Sequence, residues 1–166
     1  MKRAIHLFPE FINLQIIEDL RIQHDPLFKL IPPHITLVFP FESAILSQVL
    51  YEHIRGALED IKPFIIELQD FTGTLDQYIF LNVKKGNDQI IELHDRLYSG
   101  LLSTYQNFRF SFHPHLTIGR YNDEKMLMVA LSKMNLRKIH FKTLISKIYI
   151  TIINELDRKT EFVFNF

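Results

Sequence analysis

The sequence predicts an α+β fold made of two lobes that arose by duplication, packed so that their sheets line a shared cleft. Three observations predict it. The chain writes Pro-His-aliphatic-Thr-aliphatic twice, as "PHITL" at 33–37 and "PHLTI" at 114–118, with the two histidines 81 positions apart (115 minus 34). Apolar stretches that read as strands are interleaved with stretches of helical periodicity. The order of these elements recurs, each half running strand, helix, Pro-His-x-Thr strand, helix, strand. The period is too long and too degenerate for a solenoid. A single domain spans 1–166, with lobes of about 1–75 and 76–166.

The elements follow in order. "RAIHLF" (3–8) is a strand stopped by Pro9, and 10–25 is a helix with Ile12, Ile16 and Leu20 at helical spacing, ended by Pro26. "HITLVF" is a strand closed by Pro40. Ser43 suits the N-cap of a helix whose stripe is Leu46, Leu50, Ile54, Leu58 and Ile61. Strands at 64–71 and 78–84 flank a turn at Gly73. Gly86, Asn87 and Asp88 open a helix carrying Ile90, Leu93, Leu97, Leu101 and Tyr105. After "HLTIGRY", Asp123 caps a helix with Leu127, Ala130, Leu131 and Met134, and the tail is β-rich with a turn near Asp157 and Arg158.

Composition narrows the function. Lys+Arg and Asp+Glu are 19 each, so no global basic field marks a nucleic-acid binder. The absence of cysteine excludes disulfides, thiolate catalysis and cysteine-based zinc sites. Neither a signal peptide nor an apolar run of membrane-spanning length is read in the chain. The expected location is the cytoplasm, with no membrane contact and no obligate protein partner.

The two motifs carry the chemistry. Residues i and i+2 of a strand leave from one face, so His34 and Thr36 share a face, while Ile35, Leu37 and Phe39 take the other, core-facing one. The same parity groups His115 with Thr117, against Leu116 and Ile118. A hydroxyl donates to a phosphate oxygen, and an imidazole moves a proton near neutrality. Phosphodiester cleavage needs two proton transfers, one on each side of phosphorus. Two histidines on opposed strands, with two hydroxyls between them, meet that need without metal. A single histidine in a strand is more often structural, and it is the matched pair that shifts the balance.

These residues resemble the 2H phosphoesterase superfamily, the group of LigT-like 2′-5′ RNA ligases and 2′,3′-cyclic-nucleotide phosphodiesterases. "HITL" and "HLTI" match its motif pair, and "HDPLFKLIPPHITL" and "LHDRLYSGLL" are similar to its YjcG-like bacterial branch. The resemblance covers nearly the whole chain and weakens after about Asn135. It implies a bilobal fold with a pseudo-two-fold axis, two antiparallel sheets lining a central groove and helices outside. It implies His34 as proton donor and His115 as proton acceptor, with Thr36 and Thr117 on the phosphate. The implied substrate is a nucleotide or RNA end with a 2′,3′-cyclic phosphate or 2′-5′ linkage, the cyclic phosphate opening to a 2′-phosphate. No metal or cofactor is implied.

The remaining candidates rank lower. His113 shares parity with His115 but has no third ligand nearby in sequence, and reads as groove-lining or exposed. His6 sits in the first strand, where it can approach the groove, but a structural or surface role is the commoner one, and His24, His53, His94 and His140 read as bland. Arg120 has the parity opposite to His115 and stands below the threonines. Arg109, Lys84 and Lys85 are candidates for an RNA backbone, and Phe39, Phe41 and Tyr78 for base stacking. With 15 phenylalanines, core packing is the commoner fate of any one. A non-catalytic RNA- or nucleotide-binding module and an RNA end-joining enzyme are the alternatives to a hydrolase.

Overall fold

A computed structural model describes residues 1–166 except Phe110 and Leu156. Its elements are β1 (Lys2–Leu7), α1 (Leu14–His24), β2 (Ile35–Glu42), α2 (Ser47–Ala57), β3 (Phe64–Gly73) and β4 (Tyr78–Lys85). They continue as α3 (Asn87–Tyr98), β5 (His115–Arg120), α4 (Glu124–Leu136), β6 (His140–Ile145), β7 (Lys147–Ile153) and β8 (Arg158–Asn165).

Two antiparallel four-stranded sheets result, ordered β2-β1-β7-β8 and β5-β4-β3-β6. Each motif strand, β2 or β5, is the edge of its sheet, and the two edges contact each other. The strands do not divide between the sheets at 75/76. β3 pairs with β4 in the second sheet, and β7 and β8 return to the first. Local geometry explains both: the Gly73–Tyr78 connection closes a hairpin, and β1 with β2 alone would be a marginal two-stranded ribbon.

The helices link the sheets crosswise. α1 packs on β5 and α3 on β2, so each helix supports the motif strand of the other sheet. α1 approaches so closely that only glycine fits at 119, because a Cβ there would lie 2.5 Å from His24 Cβ. The core fills from both sheets and the helices, with Ile5, Leu7, Ile66, Leu68, Leu81 and Leu93 among its fully buried members.

Helix ends differ from the sequence reading. α1 starts at Leu14, Ile12 is fully exposed, and Ile17 and Arg21 form the buried stripe instead. α2 buries Leu50 and Ile54 as expected, but its N-cap is Leu46. Ser43 Oγ is buried without a partner, and its N–H donates to the Met1 carbonyl. α3 stops at Tyr98, where Gly100 takes a φ of 56° and starts a 3-10 turn that reaches Tyr105. Asp123 does cap α4, its Oδ1 accepting from the Met126 N–H at 2.9 Å. Among the described residues no helix is long and apolar enough to cross a membrane.

Candidate active site

His34 lies one residue before β2, and His115 is the first residue of β5. Both rings are held alike. His34 Nδ1 is 2.9 Å from the Pro32 carbonyl, and His115 Nδ1 is 2.6 Å from the His113 carbonyl. A carbonyl only accepts, so each Nδ1 carries the hydrogen and each neutral ring keeps its lone pair on Nε2. A proline stands between donor and acceptor in both places, Pro33 and Pro114. Its fixed φ, and the extended conformation it imposes on the residue before it, shape this short return of the chain. The motif's proline and histidine therefore act together.

Burial lowers the pKa of both histidines. His115 falls to about 4, with His113 and His34 adding to the effect and the His113 carbonyl opposing it. For His34 the Pro32 carbonyl and Asp25 oppose burial, while Arg21 adds to it. At His34 the Arg21 charge outweighs that of the Asp25 carboxylate it is paired with.

A shared irregularity follows each motif threonine. In β1–β2, His6 faces Thr36 and Ile5 faces Val38, leaving Leu37 as an extra residue. In β4–β5, Phe80 faces Thr117 and Ile79 faces Gly119, leaving Ile118 extra. Each bulge keeps two successive residues on the core side and reverses the parity beyond. Leu37 and Val38 are both fully buried, and Phe39 is 48% exposed, not in the core as its sequence position suggested. By the same reversal Arg120 joins the groove face. It pairs with Tyr78, and its guanidinium lies 5.2 Å from that ring. Tyr78 stacks near Phe80, and Phe80 stacks on His115 at 3.6 Å. This places Arg120 beside the second motif, a position that alternation from His115 denied it.

Thr36 and Thr117 are half-buried on the same strand faces as their histidines, and neither hydroxyl has a protein partner among the described residues. The other histidines separate. His94 is buried in α3, with Nδ1 2.8 Å from the carbonyl of the bulged Leu37, so it serves the backbone of β2. His24 stacks on Tyr121 at 4.3 Å, His53 bonds the Leu97 carbonyl, and His140 meets Glu67. His6, read as structural or surface, is a buried residue of the groove face beside His34. Its place in the first strand allowed an approach to the groove, and the pairing of β1 with β2 sets the contact with His34.

The charged and aromatic candidates also separate. Lys84 pairs with Asp70, Lys85 with Glu67, and Arg109 sits in an exposed turn. Phe41 is buried against Tyr105. No cluster of three or more His, Cys, Asp or Glu side chains suited to a metal ion occurs among the described residues.

Arg21 supports the approach to His34. This buried guanidinium on α1 donates to Asp25 at 2.8 Å, Glu18 at 3.2 Å and the Ile31 carbonyl at 2.8 Å. The loop that delivers His34 is thus clamped to the same helix end that touches Gly119 in β5. One element sets the positions of both motifs.

Comparison with known proteins agrees with this fold. A model of the 2′-5′ RNA ligase superfamily matches residues 8–155. A Geobacillus thermodenitrificans protein described as a "Putative phosphoesterase" is 33% identical over 154 residues, covering 90% of this chain and 87% of that one. Escherichia coli LigT, solved in complex with 3′-AMP, superposes with a TM-score of 0.61 at 13% identity, covering 99% of this chain and 96% of its own. A Thermus thermophilus protein superposes with a TM-score of 0.64 at 12% identity, covering 99% and 97%.

Proposed function

The chain belongs to the 2′-5′ RNA ligase superfamily, and from that premise we propose that it is a metal-independent phosphoesterase that opens a 2′,3′-cyclic or 2′-5′ phosphodiester of a nucleotide or RNA end. The observation that carries the reading is the matched fixing of His34 and His115, each with Nδ1 on the carbonyl two residues upstream and Nε2 left for substrate.

The roles are those the family resemblance implies, and the surroundings of His115 support its part. His115, with a pKa of about 4, is neutral near pH 7 and suits the base that takes a proton from water. His34 takes the acid role that the family resemblance implies, protonating the leaving oxygen; the Arg21 charge and, more weakly, the Asp25 carboxylate act on its ring in opposite senses. A bound phosphate anion favours the protonated imidazole and raises the pKa of His34 in the complex. Thr36 and Thr117 donate hydrogen bonds to the non-bridging oxygens. Water then attacks phosphorus as the P–O3′ bond breaks, leaving a 2′-phosphate. Each positioned acid or base contributes about 10² to 10⁴ in rate.

A panel of 2′,3′-cyclic nucleotides assayed in EDTA tests the reading. Turnover that is lost in His34→Ala and in His115→Ala supports it. Tight binding without turnover on any substrate favours a binding module instead. Activity that persists in both variants removes the histidines from the mechanism.

A further inference from the structure

His6 is a buried histidine on the groove face that a two-histidine scheme leaves unused. It stands across β1–β2 from Thr36 and across β1–β7 from Tyr149, so its side chain leaves the sheet on the groove face. Its ring meets His34 edge-on at 4.8 Å. Phe80 holds the matching place in the second sheet, opposite Thr117 and stacked on His115. A phenyl ring therefore suffices to support a motif histidine, and packing alone gives no reason for an imidazole at position 6.

The imidazole adds polarity in a buried place, which is unfavourable unless hydrogen bonds offset it. His6 Nδ1 has Thr151 Oγ1 at 3.4 Å, and Thr151 is itself 2% exposed. Nε2 has no protein partner among the described residues. Among those residues, the sealed side-chain polar atoms without a partner are Ser43 Oγ and Tyr121 Oη. His6 Nε2 is not one of them, so the 4% of His6 that stays exposed includes it. The ring is neutral, since burial holds its pKa well below the usual histidine value and the charges of His34 and Arg158 push the same way. A neutral ring with one open nitrogen suits a hydroxyl, which both donates and accepts and so fits either tautomer.

We propose that His6 is a substrate-binding residue whose Nε2 holds the ribose 3′-oxygen that His34 protonates. This rests on the phosphoesterase reading and narrows it to ribose 2′,3′-cyclic phosphates. In the step, the P–O3′ bond breaks as a P–O bond to water forms. The water proton goes to His115 Nε2 and the His34 proton goes to O3′; because an ester oxygen only accepts, His6 bonds it through Nε2–H, with Nδ1 accepting from the Thr151 hydroxyl, and gives up no proton. The placement favours this. A phosphate held by Thr36 presents an ester oxygen to the cross-strand neighbour of Thr36, which is His6, and to the ring beside it, which is His34.

Calorimetric titration of the full chain tests the assignment with two ligands, a nucleoside 2′-phosphate bearing a 3′-hydroxyl and its 3′-deoxy analogue. The asparagine amide of His6→Asn takes the place of Nδ1 and keeps Thr151, whereas the glutamine amide of His6→Gln reaches the place of Nε2. The wild type and His6→Gln bind the hydroxyl-bearing ligand about three- to tenfold tighter than the deoxy ligand, the range one hydrogen bond gives. His6→Asn binds the two equally, and so does His6→Phe, which copies the Phe80 arrangement and keeps the packing. A preference that survives in His6→Asn or His6→Phe, is lost in His6→Gln, or is absent from the wild type overturns the His6 assignment alone. A folded wild type that binds neither ligand overturns the phosphoesterase reading with it.

Discussion

Replacing Gly119 by alanine puts a methyl group where α1 already sits. The new Cβ would lie 2.5 Å from His24 Cβ and 2.8 Å from the His24 carbonyl carbon and oxygen. Carbon atoms pack comfortably at about 3.5–4.0 Å, so the gap must open by about 1 Å. What must move is helix backbone, not the tip of a flexible side chain. Overpacking of this kind costs about 1–3 kcal/mol, and in a domain of this size each kcal/mol lowers Tm by about 2–4 °C. Gly56→Ala is the control. Gly56 is exposed within α2 with nothing within 4 Å of its added Cβ, so alanine there gains about 0.5–1 kcal/mol of helix stability. Thermal unfolding followed by circular dichroism, with both variants beside the wild type, therefore reads opposite signs for one chemical change. A Gly119→Ala protein that melts at or above the wild type refutes the close approach. So does a Gly56→Ala protein that loses as much as Gly119→Ala.

Two further predictions follow from buried charge. Arg21→Met leaves the Asp25 carboxylate, 5% exposed, without its cation, and removing one partner of a buried pair costs about 3–5 kcal/mol; urea unfolding that shows a loss below about 1 kcal/mol contradicts the clamp. His6, His34, His94 and His115 all fold with pKa values below the ordinary 6.5. The unfolded chain then binds more protons, so this contribution to stability is intact above pH 6.5 and is lost as pH falls through the folded-state values, which for His115 means toward about 4. Melting temperature should fall steadily from pH 7 to pH 5, and a flat profile across that window contradicts the burial of neutral imidazoles.

The sequence made the pair of motifs legible because strand alternation is a local property. His34 with Thr36, and His115 with Thr117, share faces as the pleat requires, and the stripes of α2 and α3 follow from periodicity in the same way. What escaped depends on partners that lie far along the chain. The bulges at Leu37 and Ile118 arise between strands, and they move Phe39 out of the core and Arg120 onto the groove. Ser43 has a capping residue's chemistry, yet the helix opens later, where Ser47 bonds Glu161 and Arg3. The division of strands between the sheets escaped as well, because β7 completes the first sheet beside β1 from the far end of the chain. His6 and His94 gain their surroundings only when β1 meets β2 and α3 crosses to β2.

The proposal that two histidines divide the proton transfers is tested most directly by the pH dependence of kcat/KM on a 2′,3′-cyclic nucleotide. For the free protein the rate should rise as His115 loses its proton near pH 4, and fall as His34, lowered from 6.5, loses its own. The optimum then lies on the acidic side of pH 6.5. His115→Ala should lose the rising limb and His34→Ala the falling limb, each with a drop of about 10² to 10⁴ in rate. Two variants that keep the full bell of the wild type, or an optimum well above pH 7, would contradict the account.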